Sequence, residues 1–345
     1  MKKVVSNRSR TVETIALVAS NTRLFNSFFE ADRKRRLSEL TSWKLSAATK
    51  ITPAVRRSLR NVEVLITTWD SPAYFPDELL EWAPSLRLIA HCGGEVKRRF
   101  ARPLFQRIVI SNAPPPAQPV AELAVTLLLY MARDVDYYRK ELRSSSNAIY
   151  ERLHACGCGD QTIIGRQISM IGFGRIGRCI ADFLAPYGVR LLVHDPYVDP
   201  SSAPKFVRFA PLDEVIASSQ YLILAAGLTS ETDKIINSRT LRTMTKGAAI
   251  INVGRGGMID LDALTRMVLS GRLRCALDVT DPYEPLPLRH PLRRAEGAII
   301  VPHIGACPIA ARHAMASMLL SDMEHFLSGK PIENRVTEDM LDRMT

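Results

Sequence analysis

The chain has 345 residues, 46% hydrophobic and 23% charged, with 18 Gly, 21 Pro and a formal net charge of +11. At roughly 100–200 residues per domain, that length suggests about two domains, each with its own core. The balance excludes a disordered or collagen-like chain. No apolar run nears the roughly 18 residues of a membrane span; the best candidate, Val120 to Met131, is short and contains Glu122. The start, Met1-Lys2-Lys3, runs into polar Ser6 to Arg10 rather than an apolar segment, so no secretion signal and a cytoplasmic location are expected.

The first strand expected is Ile15 to Val18, followed by a polar turn and a helix with Leu24, Phe28, Leu37 and Leu40 as its apolar points. Val62 to Thr67 and Leu86 to Ala90 are continuous apolar runs of strand length, the kind buried in parallel sheets. Pro76 to Trp82 reads as helix. A strand at Ile108 to Ile110 leads into Pro114-Pro115-Pro116, which can continue neither helix nor sheet and marks a domain crossing. One long apolar helix is expected over about Val120 to Leu142. From Gln167 strands and helices alternate regularly: strands at Ile168–Ile171, Arg190–His194, Tyr221–Ala225, Ala248–Asn252, Arg274–Leu277 and Ala298–Val301. The helices between them include Asp260 to Ser270, and a last helix spans about Ala306 to Leu327. Such alternation predicts a doubly wound parallel sheet.

Gly172-Phe173-Gly174-Arg175-Ile176-Gly177 is a GxGxxG turn. It follows a predicted strand, opens a predicted helix, and precedes Asp195 at a strand end by 18 residues from Gly177. That context makes it a dinucleotide fingerprint. Gly172 permits the tight turn, Gly174 the approach of a pyrophosphate, and Gly177 close packing of helix on strand. Amides near Arg175 and Ile176, with the helix dipole behind them, would meet the phosphates. Asp195 would accept hydrogen bonds from the ribose diol and repel a 2′-phosphate, which favours NAD over NADP; the alternative is that Asp195-Pro196 merely forms a turn.

Downstream stand Asn252-Val253-Gly254-Arg255-Gly256-Gly257, Ala276-Leu277-Asp278-Val279, Glu284-Pro285 and Pro302-His303-Ile304-Gly305. In this order they resemble the D-isomer-specific 2-hydroxyacid dehydrogenase family, over about Val62 through Leu320. The resemblance implies a Rossmann-type cofactor domain at 116–307. It also implies a smaller flavodoxin-like α/β substrate domain made of 1–115 and 308–345. The implied activity is NAD-dependent interconversion of a small anionic 2-hydroxy acid and its 2-keto acid, in a homodimer and with no metal. His303 would be the general acid and base, Glu284 its carboxylate partner, and Arg255 the guanidinium that binds the substrate carboxylate and polarises its carbonyl. Asp278 would meet the nicotinamide carboxamide, Gly227, Thr232 and Val253 would line the cofactor, and the Gly93-Gly94 loop would hold the substrate carboxylate.

Two departures stand out. The family commonly places its glutamate five residues after the Asp of the LDV motif; here that residue is Tyr283 and Glu284 follows, with Asp281 as the other candidate. The segment Ala90 to Lys97 lacks the family's spaced glycines and Asp-Asn pair, which leaves the substrate's identity open.

The positive charge is uneven: residues 1–115 hold 20 Lys and Arg against 10 Asp and Glu, whereas 116–307 hold 22 against 19. The densest run, Arg33-Lys34-Arg35-Arg36, lacks interleaved aromatics and reads as a solvated helix face, so no nucleic-acid partner is expected. The basic third does lend support to a second class of function, an NAD(H)-sensing binding protein similar to corepressors related to C-terminal-binding protein. Six scattered cysteines, with only Cys156 and Cys158 near one another, read as reduced thiols rather than a zinc site.

Overall fold

The computed structural model describes residues 14–143, 147–157 and 161–343; Cys158 lies outside them. They fall into two compact units, one running to Pro115 and resuming at Ile309, the other covering Pro116–Pro308. In chain order the strands are β1 (Ile15–Ala19), β2 (Ser42–Ser46), β3 (Val64–Thr68), β4 (Leu88–Cys92) and β5 (Val109–Ala113). The second unit holds β6 (Gln167–Ile171), β7 (Arg190–His194), β8 (Val207–Phe209), β9 (Tyr221–Leu224), β10 (Ala249–Asn252), β11 (Arg274–Leu277) and β12 (Ala298–Ile300). The chain then returns to the first unit with β13 (Arg335–Val336).

In the first unit the sheet order is β13-β5-β4-β3-β1-β2, parallel except for β13. Without β13 this is the flavodoxin-like order 2-1-3-4-5. Alternate side chains feed two cores: Leu65 of β3 joins Leu17, Leu79 and Phe100, while Val64 and Ile66 join Phe25, Phe28 and Leu319. The helix Ile309–Leu327 packs here. Its buried Asp322 accepts hydrogen bonds from the Ser111 hydroxyl and the Asn334 amide groups, which ties the returning segment to β5.

All seven strands of the second unit are parallel, in the order β12-β11-β10-β9-β6-β7-β8. Numbered from β6, that is the Rossmann order 3-2-1-4-5-6 with one strand added. Both faces are covered. Tyr221 and Ile223 point into one core and Leu222 and Leu224 into the other, which is why these strands read as unbroken apolar runs. The strand order reverses between β6 and β9, which run parallel, so the loops after these two strands frame the crevice where an open α/β sheet takes its ligand.

Several expectations are corrected. The single helix over Val120 to Leu142 is two, Ala117–Ala132 and Val135–Leu142. Asp134 breaks it with a left-handed backbone (φ 48°), and its carboxylate is held by Arg274 at 2.7 Å and Gln161 at 3.1 Å. The helix expected across Leu24 to Leu40 divides at Phe29-Glu30 into Thr22–Phe28 and Ala31–Leu40, and only Leu79–Trp82 of Pro76 to Trp82 is α-helical. The last helix begins at Ile309 rather than Ala306.

Central burial gives this fold a direct test. Leu222 is fully buried in β9, so Leu222→Ala should lower stability by about 2–5 kcal/mol. A denaturant titration should show the second unit's midpoint falling with its slope unchanged; an unchanged midpoint would mean β9 is not at the centre of that sheet.

Candidate active site

The glycine turn joins β6 to the helix Arg175–Leu184. Gly172 has φ +94°, and a Cβ there would lie 2.6 Å from the Ala226 nitrogen after β9, so only glycine fits. A Cβ on Gly177 would reach 2.5 Å from the Gly172 carbonyl oxygen, whereas one on Gly174 would meet nothing within 4 Å. Gly174 is also the N-cap, with no side chain capping the helix. Open space over uncapped first-turn amides, near Arg175 and Ile176, is a cradle that fits a pyrophosphate.

Asp195 follows β7 and is half-buried. Its two oxygens accept the Phe173 amide at 2.7 Å and the Tyr197 amide at 3.0 Å. It therefore braces the glycine turn and its own turn at once, and the carboxylate retains lone pairs for a ligand. Thr232 donates to the Gly227 carbonyl at 2.7 Å and accepts the Thr229 amide at 2.8 Å, so its hydroxyl folds the loop after β9. Val253 is buried, its amide on the Leu224 carbonyl at 3.2 Å.

Three further loops meet at the same end of the sheet. After β10, fully buried Asn252 accepts the Gly254 amide at 3.0 Å and donates to the Arg255 carbonyl at 3.0 Å. This fixes the turn that carries Arg255, whose guanidinium touches the Gly254 carbonyl at 2.9 Å. The glycines around Arg255 serve backbone packing: a Cβ on Gly254 would lie 2.7 Å from the Ala226 carbonyl oxygen, and one on Gly256 2.3 Å from the Thr280 carbonyl carbon. The Arg255 turn is thus pressed against the start of the loop that bears Glu284.

After β11, Asp278 is 3% exposed. Its carboxylate accepts the amides of Ile304 at 2.6 Å and Gly305 at 3.1 Å, and its carbonyl accepts the amide of His303 at 2.9 Å. Burial raises its pKa above the ordinary carboxylate value, against the pull of those two amides. Among the described residues, the side chain's hydrogen bonds are to the His303 loop.

His303 has a left-handed backbone, φ 54°, unusual for a non-glycine residue. Its Nδ1 lies 2.8 Å from Glu284 Oε1, both side chains being about half exposed. Glu284, not Asp281, is the carboxylate on the imidazole. The extra loop residue is absorbed because the Thr280 hydroxyl donates to the Tyr283 carbonyl, closing residues 281–283 into an exposed turn. The hydrogen bond to Glu284 is the largest cause of a raised His303 pKa; burial and the charge of Arg255 oppose it, while Glu284 and Asp278 add charge attraction. The positioning roles of Asn252 and Thr280 went unforeseen. The signal was there for Asn252, a polar residue ending the apolar strand Ala-Ile-Ile-Asn.

In the first unit, Gly93 follows β4 and its amide donates to the Ala113 carbonyl at 3.3 Å. A Cβ on Gly93 would fall 2.2 Å from His91 Nε2, so this loop lies against a buried histidine. Among the described residues no group of three or more His, Cys, Asp or Glu is placed to hold a metal ion, and no helix is long and apolar enough to cross a membrane.

A Rossmann sheet with a glycine cradle, and an imidazole–carboxylate pair and an arginine on loops after β10 to β12, defines a nicotinamide-dependent oxidoreductase. Residues 125–305 match the family model described as D-isomer specific 2-hydroxyacid dehydrogenase, NAD binding domain. The human glyoxylate reductase/hydroxypyruvate reductase is 32% identical over 246 residues, 70% of this chain and 72% of that protein. A crystal structure of a Thermus thermophilus protein superposes with a TM-score of 0.79 at 27% identity, covering 94% of this chain and all of the other. That of the NADPH-dependent glyoxylate/hydroxypyruvate reductase from Sinorhizobium meliloti shares the fold, with a TM-score of 0.75 at 22% identity over 94% of this chain and 98% of that one. The chain belongs to the D-isomer specific 2-hydroxyacid dehydrogenase family.

The glycines separate folding from binding. Gly177→Ala should destabilise the second unit and weaken dinucleotide binding together. Gly174→Ala should leave the melting temperature within a degree or two, since its Cβ meets no protein atom, yet weaken NADH binding about tenfold or more by filling the cradle. Calorimetry and fluorescence titration of NADH read the two effects; unchanged affinity in Gly174→Ala would move the cofactor elsewhere.

Proposed function

We propose that this chain reduces a small 2-keto acid, of the size of glyoxylate or hydroxypyruvate, to the 2-hydroxy acid with NADH. The second unit holds the cofactor, and the Gly93-Gly94 loop meets the substrate's carboxylate. When bound, the reduced nicotinamide supplies a hydride to the carbonyl carbon. The carbonyl oxygen then gathers negative charge and needs a proton. His303 donates it from Nε2, because Nδ1 is engaged by Glu284. Glu284 both orients the ring and favours its charged form. Arg255 takes the substrate carboxylate and polarises the carbonyl through its planar fork of donors. Asp195, already turned toward the glycine loop, gives the preference for NAD by repelling a 2′-phosphate. Exposed Tyr137, Leu142 and Tyr150 on the helices Val135–Leu142 and Ala148–Cys156 support a homodimer formed through this region.

The 2.8 Å contact between His303 and Glu284, with the charge of Arg255 felt at the imidazole, carries this reading. Its test is NADH consumption with a panel of 2-keto acids. His303→Ala should cut turnover by about 100-fold or more while the NADH dissociation constant stays within about twofold; equal loss of both would make His303 a cofactor residue.

Reduction needs the imidazolium, so kcat/KM should be high below the raised pKa of His303 and fall as pH rises through it. Glu284→Gln removes the largest raising influence, so the fall should move to lower pH. A profile that Glu284→Gln leaves in place would remove His303 as the acid.

A further inference from the structure

The loop after β4 is held by a device that the proposed reaction has not yet used. Arg99, 8% exposed, sends its guanidinium under the loop that follows β3. Nη1 donates to the carbonyls of Ser71 at 3.2 Å and Pro72 at 3.1 Å, and Nη2 to that of Trp69 at 3.2 Å. Burying a guanidinium is costly unless its donors are satisfied, and burial is the leading influence lowering its pKa. Here one cation bridges three backbone carbonyls of the loop after β3.

Each end of this staple is itself anchored. On the β3 side, the Ser71 hydroxyl donates to the Ala19 carbonyl and accepts the Thr68 amide at 2.7 Å. Asp70 accepts the Asn21 amide at 2.8 Å and the Ser20 hydroxyl at 3.0 Å. On the β4 side, the backbone of Arg99 pairs with Phe75, whose amide reaches its carbonyl at 2.7 Å, and Phe100 stacks on Phe75 and sits edge-on to His91. His91 is 1% exposed, with Nδ1 on the Thr67 hydroxyl at 2.8 Å. Its Nε2 and the Nε of Arg99 are both buried without a hydrogen-bond partner. The backbone of Gly93 lies against that Nε2.

We propose that Arg99 is a positioning residue for substrate binding: it staples the loop after β3 to residues 93–100 and, with His91 beneath Gly93, sets the geometry of the loop that meets a carboxylate. The inference rests on the proposed reduction of a 2-keto acid. It locates the adaptation in the segment where the sequence lacks the family's spaced glycines. A guanidinium spanning three carbonyls cannot be reproduced by an ammonium.

Steady-state kinetics of Arg99→Lys and Arg99→Gln with glyoxylate and hydroxypyruvate, alongside NADH binding and the melting temperature, provide the test. The expected result is a KM raised about tenfold or more, with kcat within about threefold and NADH affinity unchanged. An unchanged KM, or KM and NADH affinity worsening together, would overturn it. If neither variant folds, amide exchange in the native chain decides: oxamate added to the NADH-bound protein should slow exchange across 93–100, and no slowing overturns the inference. Should the native chain consume no NADH with any 2-keto acid, the proposed function itself fails; a fall in turnover confined to His303→Ala with no effect at Arg99 fails the inference alone.

Discussion

A buried carboxylate at the end of β11 determines where the site's imidazole stands. Asp278 accepts two successive amides of the His303 loop with its side chain and the amide of His303 with its carbonyl. Those bonds hold His303 in a left-handed conformation that a non-glycine residue adopts at a cost of about 1–3 kcal/mol. Local strain persists when the surroundings over-determine it, and three hydrogen bonds to one buried residue do so. From that fixed backbone the ring reaches Glu284, which arrives on a different loop.

The pair is electrostatically poised rather than merely adjacent. Glu284 and Asp278 draw the imidazole toward its charged form, while burial and Arg255 push the other way. Arg255 and Glu284 are also mechanically linked, because the Gly256 backbone packs directly on Thr280 at the root of the Glu284 loop. An acid whose pKa is raised and a cation nearby suit a step in which an anionic substrate acquires further charge at its oxygen.

Much of this was legible in the chain. Parallel strands buried on both faces leave long apolar runs, so β6, β7 and β9 to β11 stand out, and the glycine turn declares itself through its strand, helix and Asp195. Edge strands do not: β2, Ser-Trp-Lys-Leu-Ser, is half polar, and β8 is three residues long. The break at Asp134 depends on Arg274 and Gln161, each distant in sequence, so local periodicity passed straight through it. The meeting of Glu284 with His303 was visible only through the family pattern. It depends on how a turn of residues 281–283 closes, and the Thr280 hydroxyl that closes it carries no sequence signature of its own.

Glu284 holds Nδ1 of His303 and should keep the ring charged to higher pH. Histidine NMR titration of the cofactor-free protein tests it most directly, with His303→Gln identifying the signal. The prediction is a midpoint above the ordinary 6.5, with the proton on Nδ1 in the neutral form. A midpoint at or below 6.5 in the folded protein, or a neutral ring protonated on Nε2, would contradict it.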